Sequence, residues 1–284
     1  MKTLGNTALL LLITLVSCTE RIEINTSDAA PRLSVFGYIT NRVATHTITI
    51  TRTAGYFSTQ PPEGINNAAV TLSDGNITHL LARKPDAAGV YCTAPNFYGT
   101  ENTTYTLNIT LDFDNDGTPE QYTAQAHMPG ATRVDSIKLQ PSVMPRIPNL
   151  LLYGEVPDYQ KNCLAVYLSK NNEHENIFEY LLILTDSYFN GHIINGYAFP
   201  CFVDEGVKKS DTILFRVNSF SSDFAAFISN ARGETGGSNP IFDGPPVDVQ
   251  TNITAVDKNN TTGIAGYFGA FAWDEKITVS DRDF

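Results

Sequence analysis

The segment Tyr105-Thr106-Leu107-Asn108-Ile109-Thr110-Leu111 places an apolar side chain at every second position. Successive side chains of a β-strand point to opposite faces, so this alternation is typical of a strand with one face buried and the other in water. The segment His46-Thr47-Ile48-Thr49-Ile50-Thr51 repeats the pattern with isoleucine and threonine, which both favour strands. These two segments predict a β-fold for the first half of the chain.

Further short apolar runs lie on either side of these segments, between Leu33 and His127. Turn-forming Gly, Pro and Asn residues separate the runs, among them the tight-turn pair Asp74-Gly75. About seven short strands of this kind favour an antiparallel β-sandwich of the immunoglobulin/fibronectin-like or transthyretin-like type. Because Met128-Pro129-Gly130 ends the series, we expect this N-terminal domain to cover residues 31–130.

The second half, residues 131–284, is also predicted to be rich in strands. Ser222 is expected to cap a short helix that places Phe224, Phe227 and Ile228 on one face. The whole chain is therefore expected to be all-β and mainly antiparallel, with one or two short helices in the second domain. The strands expected there are Val134–Leu139, Cys163–Ser169, Ile177–Thr185, Tyr197–Val203, Asp211–Val217, Gly263–Trp273 and Lys276–Val279.

The N-terminus is predicted to carry an export signal. Lys2 precedes an apolar run, Ala8 to Val16, that is too short to span a bilayer. Residues 1–17, followed at once by Cys18, resemble a bacterial lipoprotein signal, which implies that Cys18 is acylated and becomes the mature N-terminus. The alternative is an ordinary secretory signal with a chance cysteine at its end.

Residues 18–30 are polar and lack an apolar period, so they are expected to form a flexible tether. Glu20 and Glu23 lie just after Cys18. Acidic residues at this position resemble a surface-export signal of Bacteroidetes lipoproteins, although a solvated linker explains them equally well.

Composition excludes two classes of protein. Hydrophobic residues make up 42% of the chain, which is too many for general disorder. The net charge of −11 argues against nucleic acid as a partner, since phosphates require Lys and Arg.

Three cysteines remain once Cys18 is assigned to lipid. Cys163 and Cys201 lie in the same half of the chain and are the favoured disulfide pair in an oxidising compartment, which leaves Cys92 as a buried thiol. No zinc-type spacing of cysteines occurs.

The acidic segment Asp112-Phe113-Asp114-Asn115-Asp116-Gly117 matches the first half of a calcium-binding loop. Asp112, Asp114 and Asp116 would supply carboxylate oxygens, and Glu120 could add another. Position twelve of such a loop is Thr123, however, which offers no bidentate carboxylate. A structural calcium ion is one interpretation, and an acidic hairpin turn with Asp116-Gly117 at its tip is the other.

The sequence contains no nucleophile elbow, phosphate loop or dinucleotide fingerprint, and its five histidines lack metal-ligand spacing. We therefore expect a protein that is not an enzyme and needs no cofactor beyond the possible calcium. Loop aromatics favour recognition surfaces, because they bury much area at low entropic cost, although covering a sheet edge is the better explanation for any single one of them. They are Tyr56-Phe57, Tyr188-Phe189, Tyr197 and Phe242.

Several motifs occur in a recognisable order along the chain. They are Val35-x-Gly37-x-Ile39, Ser222-Asp223-Phe224, Pro245-Pro246-Val247-Asp248-Val249-Gln250-Thr251-Asn252-Ile253 and Gly263-Ile264-Ala265-Gly266-Tyr267-Phe268-Gly269-Ala270. This order resembles Bacteroidetes outer-membrane lipoproteins of domain-of-unknown-function family four-two-four-nine. Such proteins are typically encoded beside TonB-dependent receptors, and no catalytic residues are established for the family.

The resemblance implies a non-catalytic accessory or binding lipoprotein of a TonB-dependent nutrient uptake system. Its expected partners are outer-membrane lipid, bound through acylated Cys18, and a TonB-dependent receptor. Its expected place is the outer membrane, at the cell surface, although the periplasmic face stays open. A structural or adhesive surface protein is the alternative, and a surface hydrolase a more remote one.

Overall fold

The alternating segment around Leu107 forms strand β8 (Thr103–Leu111) in the computed structural model of the protein. The residues that the structure describes are 30–55, 58–144, 146–157, 162–172, 181–185, 193–203, 206–235 and 249–284. The predicted signal peptide, Cys18 and nearly all of the predicted tether lie outside these residues. The remaining strands are β1 (Leu33–Thr40), β2 (Thr47–Arg52), β3 (Glu63–Gly64), β4 (Ala69–Ser73), β5 (Thr78–Leu80), β6 (Ala82–Arg83), β7 (Val90–Cys92), β9 (Glu120–Met128), β10 (Arg133–Gln140), β11 (Asn149–Glu155), β12 (Asn162–Lys170), β13 (Leu182–Thr185), β14 (Ile193–Pro200), β15 (Thr212–Ser221), β16 (Ile253–Ala255) and β17 (Ile264–Val279).

These strands form three sheets. The largest has nine strands in the order β13-β12-β15-β17-β1-β2-β7-β6, with β3 also paired to β2. A five-stranded sheet has the order β16-β9-β8-β4-β5, and a three-stranded sheet the order β10-β11-β14. Strands β1 and β17 run parallel, whereas the other described pairs are antiparallel. The predicted all-β, mainly antiparallel, sandwich-type fold is confirmed.

The nine-stranded sheet is the central layer, and three hydrophobic clusters lie against it. The first cluster joins β1, β2 and β17 to β4, β8 and β9 of the five-stranded sheet. The second joins β12 and β15 to the three-stranded sheet. Both clusters lie on the same face of the sheet. The even-numbered residues of β17 share one face, and Phe268, Ala270 and Ala272 among them belong to the first cluster. The even-numbered positions further along β17 pair with Phe215 and Val217 of β15, which belong to the second cluster.

The opposite face is covered by helix α1 (Ser222–Thr235). Phe224, Phe227 and Ile228 are buried on it, as their helical spacing predicts. The predicted cap at Ser222 is displaced by one residue, since the Ser221 hydroxyl accepts the hydrogen bond from the Phe224 amide at 3.3 Å. The helix therefore begins where β15 leaves the central sheet.

Residues Pro31–Phe284 form one compact unit. The two segments predicted as domains, 31–130 and 131–284, share the central sheet because β1 pairs along its whole length with β17. Strand β17 also supplies Phe268 and Ala270 to the core of the first segment. The chain thus closes its N-terminal sandwich with its last strand.

Two further features of the second half differ from the sequence-based prediction. The runs Gly263–Trp273 and Lys276–Val279 are one sixteen-residue strand, β17. Strand β11, which follows the proline-rich link, was not predicted, although Leu150 and Leu152 are both buried in it. In the part of the chain that the structure describes, no helix is long and apolar enough to cross a membrane.

Candidate functional site

Trp273, the single tryptophan of the chain, lies on β17 of the central sheet and has two arginine guanidiniums stacked on its ring. The guanidinium carbon of Arg216 lies 3.9 Å from the centroid of the indole ring, and that of Arg42 lies 4.4 Å from it. Cations over an indole face are attracted by the ring quadrupole. The stack joins β15, the β1–β2 loop and β17 at one point.

Each arginine is also paired with a carboxylate next to Trp273. Arg216 binds Glu275 Oε2 through Nε at 2.9 Å and through Nη2 at 2.8 Å. Nη2 of Arg42 donates to Asp274 Oδ1 at 3.1 Å and to the carbonyl oxygen of Trp273 at 3.0 Å. Because each acid has an arginine partner, the consecutive residues Asp274 and Glu275 do not interrupt β17.

A pocket of about 240 Å³ opens beside this stack. Its floor includes Tyr38, Thr40 and Phe271, and its rim includes Thr45 and Thr47. Burial raises the pKa of the Tyr38 hydroxyl, and the nearby Arg216 charge partly offsets that effect. Tyr38 is therefore protonated at neutral pH.

His46 lines the same pocket and is 5% exposed. Its Nε2 lies 3.0 Å from the Thr40 hydroxyl, while its Nδ1 is buried without a hydrogen-bond partner. Burial lowers the pKa of His46, and a backbone interaction at Ala44 partly opposes the shift. The ring is thus neutral at pH 7.

The Thr40–His46 contact pairs a hydroxyl with a base, but it lacks the third group of a catalytic triad. The unpartnered Nδ1 means that no described carboxylate orients the imidazole. Thr40 is only 7% exposed, and its hydroxyl oxygen also accepts from the Arg42 amide at 3.4 Å. The arrangement does not present an activated nucleophile to solvent.

The predicted calcium ligands Asp112, Asp114 and Asp116 do come together. One carboxylate oxygen from each lies within 4.8 Å of the others. The loop is a set of tight turns, in which Asp112 Oδ2 accepts from the Gly117 amide at 3.0 Å and Asp116 Oδ1 from the Thr118 amide at 2.7 Å. Asp112 Oδ1 is buried without a partner, so one oxygen suited to a hard cation is left over.

Glu120 does not join this cluster, because its Oε2 accepts from the Phe113 amide at 2.8 Å. The Arg52 guanidinium lies 4.3 Å from the Phe113 ring centroid and donates to the Phe113 carbonyl. A cleft of about 410 Å³ separates the acidic loop from Glu63 and Asn66. The loop is a hairpin turn whose free oxygens fit a cation only in part, so both sequence interpretations remain compatible with it.

The predicted disulfide needs correction. Cys92, Cys163 and Cys201 form no disulfide with one another. Cys201 is fully buried in the second cluster, whereas Cys163 packs against the third cluster on the opposite face of the central sheet. Burial raises the pKa of Cys201 to about 12, and Lys170 offsets this only in part. The sheet itself keeps the two sulfur atoms apart.

Tyr197 is the only one of the predicted loop aromatics within the described residues, and it lies on β14 with 45% of its surface exposed. Tyr56-Phe57, Tyr188-Phe189 and Phe242 lie outside the described residues, as do Glu20, Glu23 and Cys18. The Trp273 pocket was missed because Arg42, His46 and Arg216 are dispersed in sequence. The lone tryptophan was the one available signal.

Residues from three of the motifs that carry the family resemblance meet where α1 packs against β17. Asp223, Asn252 and Tyr267 line one cleft of about 180 Å³. Burial raises the pKa of Tyr267 to about 12, with a further contribution from the negative charge of Asp223. A Cβ atom at Gly269 would lie 2.7 Å from the Phe224 ring, so this position admits only glycine without a shift of the helix. These motifs therefore serve to pack helix α1 against β17.

A family model described as "Domain of unknown function (DUF4249)" matches residues 19–277. The chain belongs to the DUF4249 family. The match covers the whole compact unit except its last residues, and it includes the motifs that meet at the α1–β17 junction.

No curated protein matches this DUF4249 chain. Among solved structures, a cytokine receptor complex (crystal form 1A) is 10% identical, with a TM-score of 0.27, and the match covers 68% of this chain and 86% of that one. The FN1–FN3 domains of chicken CNTN1 are 12% identical, with a TM-score of 0.18, and the match covers 69% of this chain and 61% of that one. Similarity at this level carries no functional argument.

Proposed function

We propose that this DUF4249 protein is a lipid-anchored, non-catalytic accessory or binding lipoprotein of a TonB-dependent nutrient uptake system in the outer membrane. The observation that carries the proposal is the apolar run ending in Leu15-Val16-Ser17-Cys18, placed a short distance before a folded body that begins at Pro31. A lipid-modified N-terminus needs such a cysteine and such a spacer. Attachment beside a Bacteroidetes receptor follows from the motif resemblance.

The anchor is physically sufficient for stable attachment. Each buried acyl methylene contributes about 0.8 kcal/mol, and two or more chains hold a protein on a membrane. A tether of roughly 13 extended residues reaches about 45 Å at most, so the folded body would stay close to a neighbouring transporter.

Side-chain chemistry in the described clefts supports a binding role. The Thr40–His46 pair is buried and lacks an orienting acid. The other two clefts combine carboxylates with amides, and the Thr251 hydroxyl in one of them accepts a hydrogen bond from the Ile253 amide. Hydrolysis requires a nucleophile paired with a base, or a metal.

Three large apolar side chains of the second half are exposed and available for contact with the transporter. Leu182, Ile193 and Phe202 are 51%, 81% and 67% exposed. Exposed large apolar side chains are most useful where a partner covers them. We propose that the exposed side chain of Ile193 lies in the contact with the barrel.

Acylation is tested by mass spectrometry of the protein from its native membrane and from a Cys18→Ser variant. The proposal expects diacylglyceryl and acyl groups on Cys18, and release of the variant from the membrane fraction. A Cys92→Ser variant is the control and should stay membrane-bound. An unmodified Cys18 thiol, or free protein in the medium, would contradict the anchor.

The transporter partner is tested by extraction in mild detergent after cross-linking. We expect an outer-membrane barrel to co-purify, and Ile193→Glu to reduce its recovery. Ile77→Glu is the matched control, because Ile77 is 57% exposed on the β4–β5 turn of the first half. Recovery of the protein as a lone monomer would overturn this part of the proposal.

A further inference from the structure

The two arginines that stack on Trp273 retain unused hydrogen-bond donors. Arg42 uses Nη2 for its side-chain hydrogen bonds, so Nε and Nη1 donate to no described residue. Arg216 uses Nε and Nη2, so Nη1 donates to none. Both arginines also line one pocket together with Trp273, so their free donors are available to a ligand in that pocket.

The side chains that line the adjoining pocket are also rich in donors. Besides the arginines they include the hydroxyls of Tyr38, Thr45 and Thr47, and no carboxylate lines the pocket. Asp274 and Glu275 hold the arginines from outside this lining. A pocket lined by cations and hydroxyls is unusual in a chain with a net charge of −11.

His46 provides an independent indication that a polar group belongs here. It is 95% buried, it lines the pocket, and its Nδ1 has no hydrogen-bond partner. A buried polar atom without a partner destabilises the folded state, so each such atom in a native structure calls for an explanation, such as a missing ligand.

We propose that this pocket binds a small organic carboxylate, held by the free edges of Arg42 and Arg216 against the ring of Trp273. Guanidinium groups recognise planar carboxylates through paired N–H donors. The volume of about 240 Å³ limits the ligand to a small molecule. Because Asp274 and Glu275 already offset the arginine charges, the shape of the ligand decides, and a planar carboxylate matches the guanidinium edges better than a tetrahedral phosphate. This inference does not depend on the proposed anchor or on the transporter.

The single tryptophan makes the test direct, because all tryptophan fluorescence of the full chain comes from Trp273. The full chain in detergent is titrated with sodium succinate at constant ionic strength, and in parallel with neutral succinamide, with inorganic phosphate and with sodium chloride. We expect a saturable change of the Trp273 emission with succinate at millimolar concentration and a much smaller response to the other three solutes.

An Arg42→Gln variant should weaken succinate binding by about tenfold, because Arg42 is the more exposed of the two arginines and supplies two free donors. Arg282→Gln is the matched control, since Arg282 is exposed and paired only with Asp281. The indole N–H resonance in a ¹H–¹⁵N spectrum provides a second measurement on each variant, and thermal unfolding verifies that each is folded.

Three results would overturn the proposal. They are the absence of saturation up to about 50 mM succinate, a response to succinamide or phosphate as large as that to succinate, and unchanged succinate affinity in folded Arg42→Gln protein. A dominant succinamide response would identify a site for neutral polar ligands instead.

Discussion

The side chain of Asn252 pairs with the backbone of Phe268 as a neighbouring strand would. Its Oδ1 accepts from the Phe268 amide at 2.9 Å, and its Nδ2 donates to the Phe268 carbonyl at 2.8 Å. Phe268 lies in the part of β17 that pairs with β1, while β15 pairs with β17 only from Ala272 onward. Asn252 therefore provides hydrogen bonds to the edge of β17 that has no neighbouring strand once β15 turns into helix α1.

Asn41 does the same for Trp273 just beyond the end of β1. Its Oδ1 accepts from the Trp273 amide at 3.1 Å, and its Nδ2 donates to the Trp273 carbonyl at 3.3 Å. The two asparagines thus extend the hydrogen bonding of β17 at the points where one neighbouring strand ends or the other has not yet begun.

Replacing Asn252 with alanine should lower the free energy of unfolding by about 2–4 kcal/mol, because three hydrogen bonds are lost and a buried amide is left unpaired. The third of these bonds joins Nδ2 to the Gln125 carbonyl at 2.9 Å. Urea unfolding followed by circular dichroism measures the change. Asn259→Ala is the control, because Asn259 bonds only within its own exposed turn and should cost less than about 0.5 kcal/mol. Equal effects of the two substitutions would contradict the edge-pairing role.

Local alternation was sufficient to predict most strands, because a half-buried strand records its burial in every second residue. Strand β8 shows this, with Tyr105, Leu107, Ile109 and Leu111 buried as their spacing predicts. The helix could also be predicted from local sequence, because the spacing of Phe224, Phe227 and Ile228 defines its buried face. The residues that cap and cover these elements were harder to predict.

Long-range pairing could not be predicted from the same patterns. The parallel alignment of β1 with β17 joins the two ends of the compact unit, and no local feature of either strand indicates its partner. Asp274-Glu275 suggested an interruption of the last strand, because their arginine partners, Arg42 and Arg216, come from distant parts of the sequence. The Trp273 pocket was hidden for the same reason.

Gly269→Ala tests the contact between α1 and β17. The new methyl group would meet the Phe224 ring at 2.7 Å, and overpacking of this kind costs about 1–3 kcal/mol of unfolding free energy. Gly233→Ala is a matched control on α1 itself, where a Cβ atom meets nothing within 4 Å. It should stabilise the protein by about 0.5–1 kcal/mol, because alanine is the better helix former. Chemical unfolding of both variants decides the point, and a Gly269→Ala protein as stable as the wild type would refute the close contact.

His46 should make the protein sensitive to acid. Burial lowers its folded-state pKa below the unfolded value of about 6.5, so the folded protein binds fewer protons in this range. The free energy of unfolding is therefore fully retained above about pH 6.5 and falls as the pH drops through the lower folded pKa.

A His46→Gln variant should lose this part of the pH dependence, as measured by urea unfolding at a series of pH values. His79→Gln is the control, because His79 also packs edge-on against Phe97, at 5.2 Å between ring centroids, but is not buried. A pH profile unchanged by His46→Gln would show that other groups dominate acid unfolding.

Calcium should stabilise the protein if Asp112, Asp114 and Asp116 bind it. Ligand binding to the native state alone raises the unfolding free energy by about 2.7 kcal/mol at a hundredfold excess over the dissociation constant. The midpoint of thermal unfolding should then rise with calcium, and less with magnesium, which requires stricter octahedral geometry. Asp114→Asn should abolish the rise, whereas Asp281→Asn, at an exposed pair with Arg282, should leave it intact. If the midpoint of thermal unfolding does not change with calcium, the loop is an acidic turn that binds no calcium.

The thiols should differ in reactivity according to their position in the sheets. The Cys201 thiol is fully buried, and its pKa is raised to about 12, so it should not react with a disulfide reagent at neutral pH until the protein unfolds. Cys92 and Cys163 are only half-buried and should react faster than Cys201.

After unfolding without reductant, alkylation and mass spectrometry should find Cys92, Cys163 and Cys201 all labelled, because the central sheet separates the latter two. Cys18 should stay unlabelled if it carries lipid, which gives an internal comparison in the same spectrum. Recovery of a linked Cys163–Cys201 peptide would require the two faces of the sheet to rearrange and would contradict the structure.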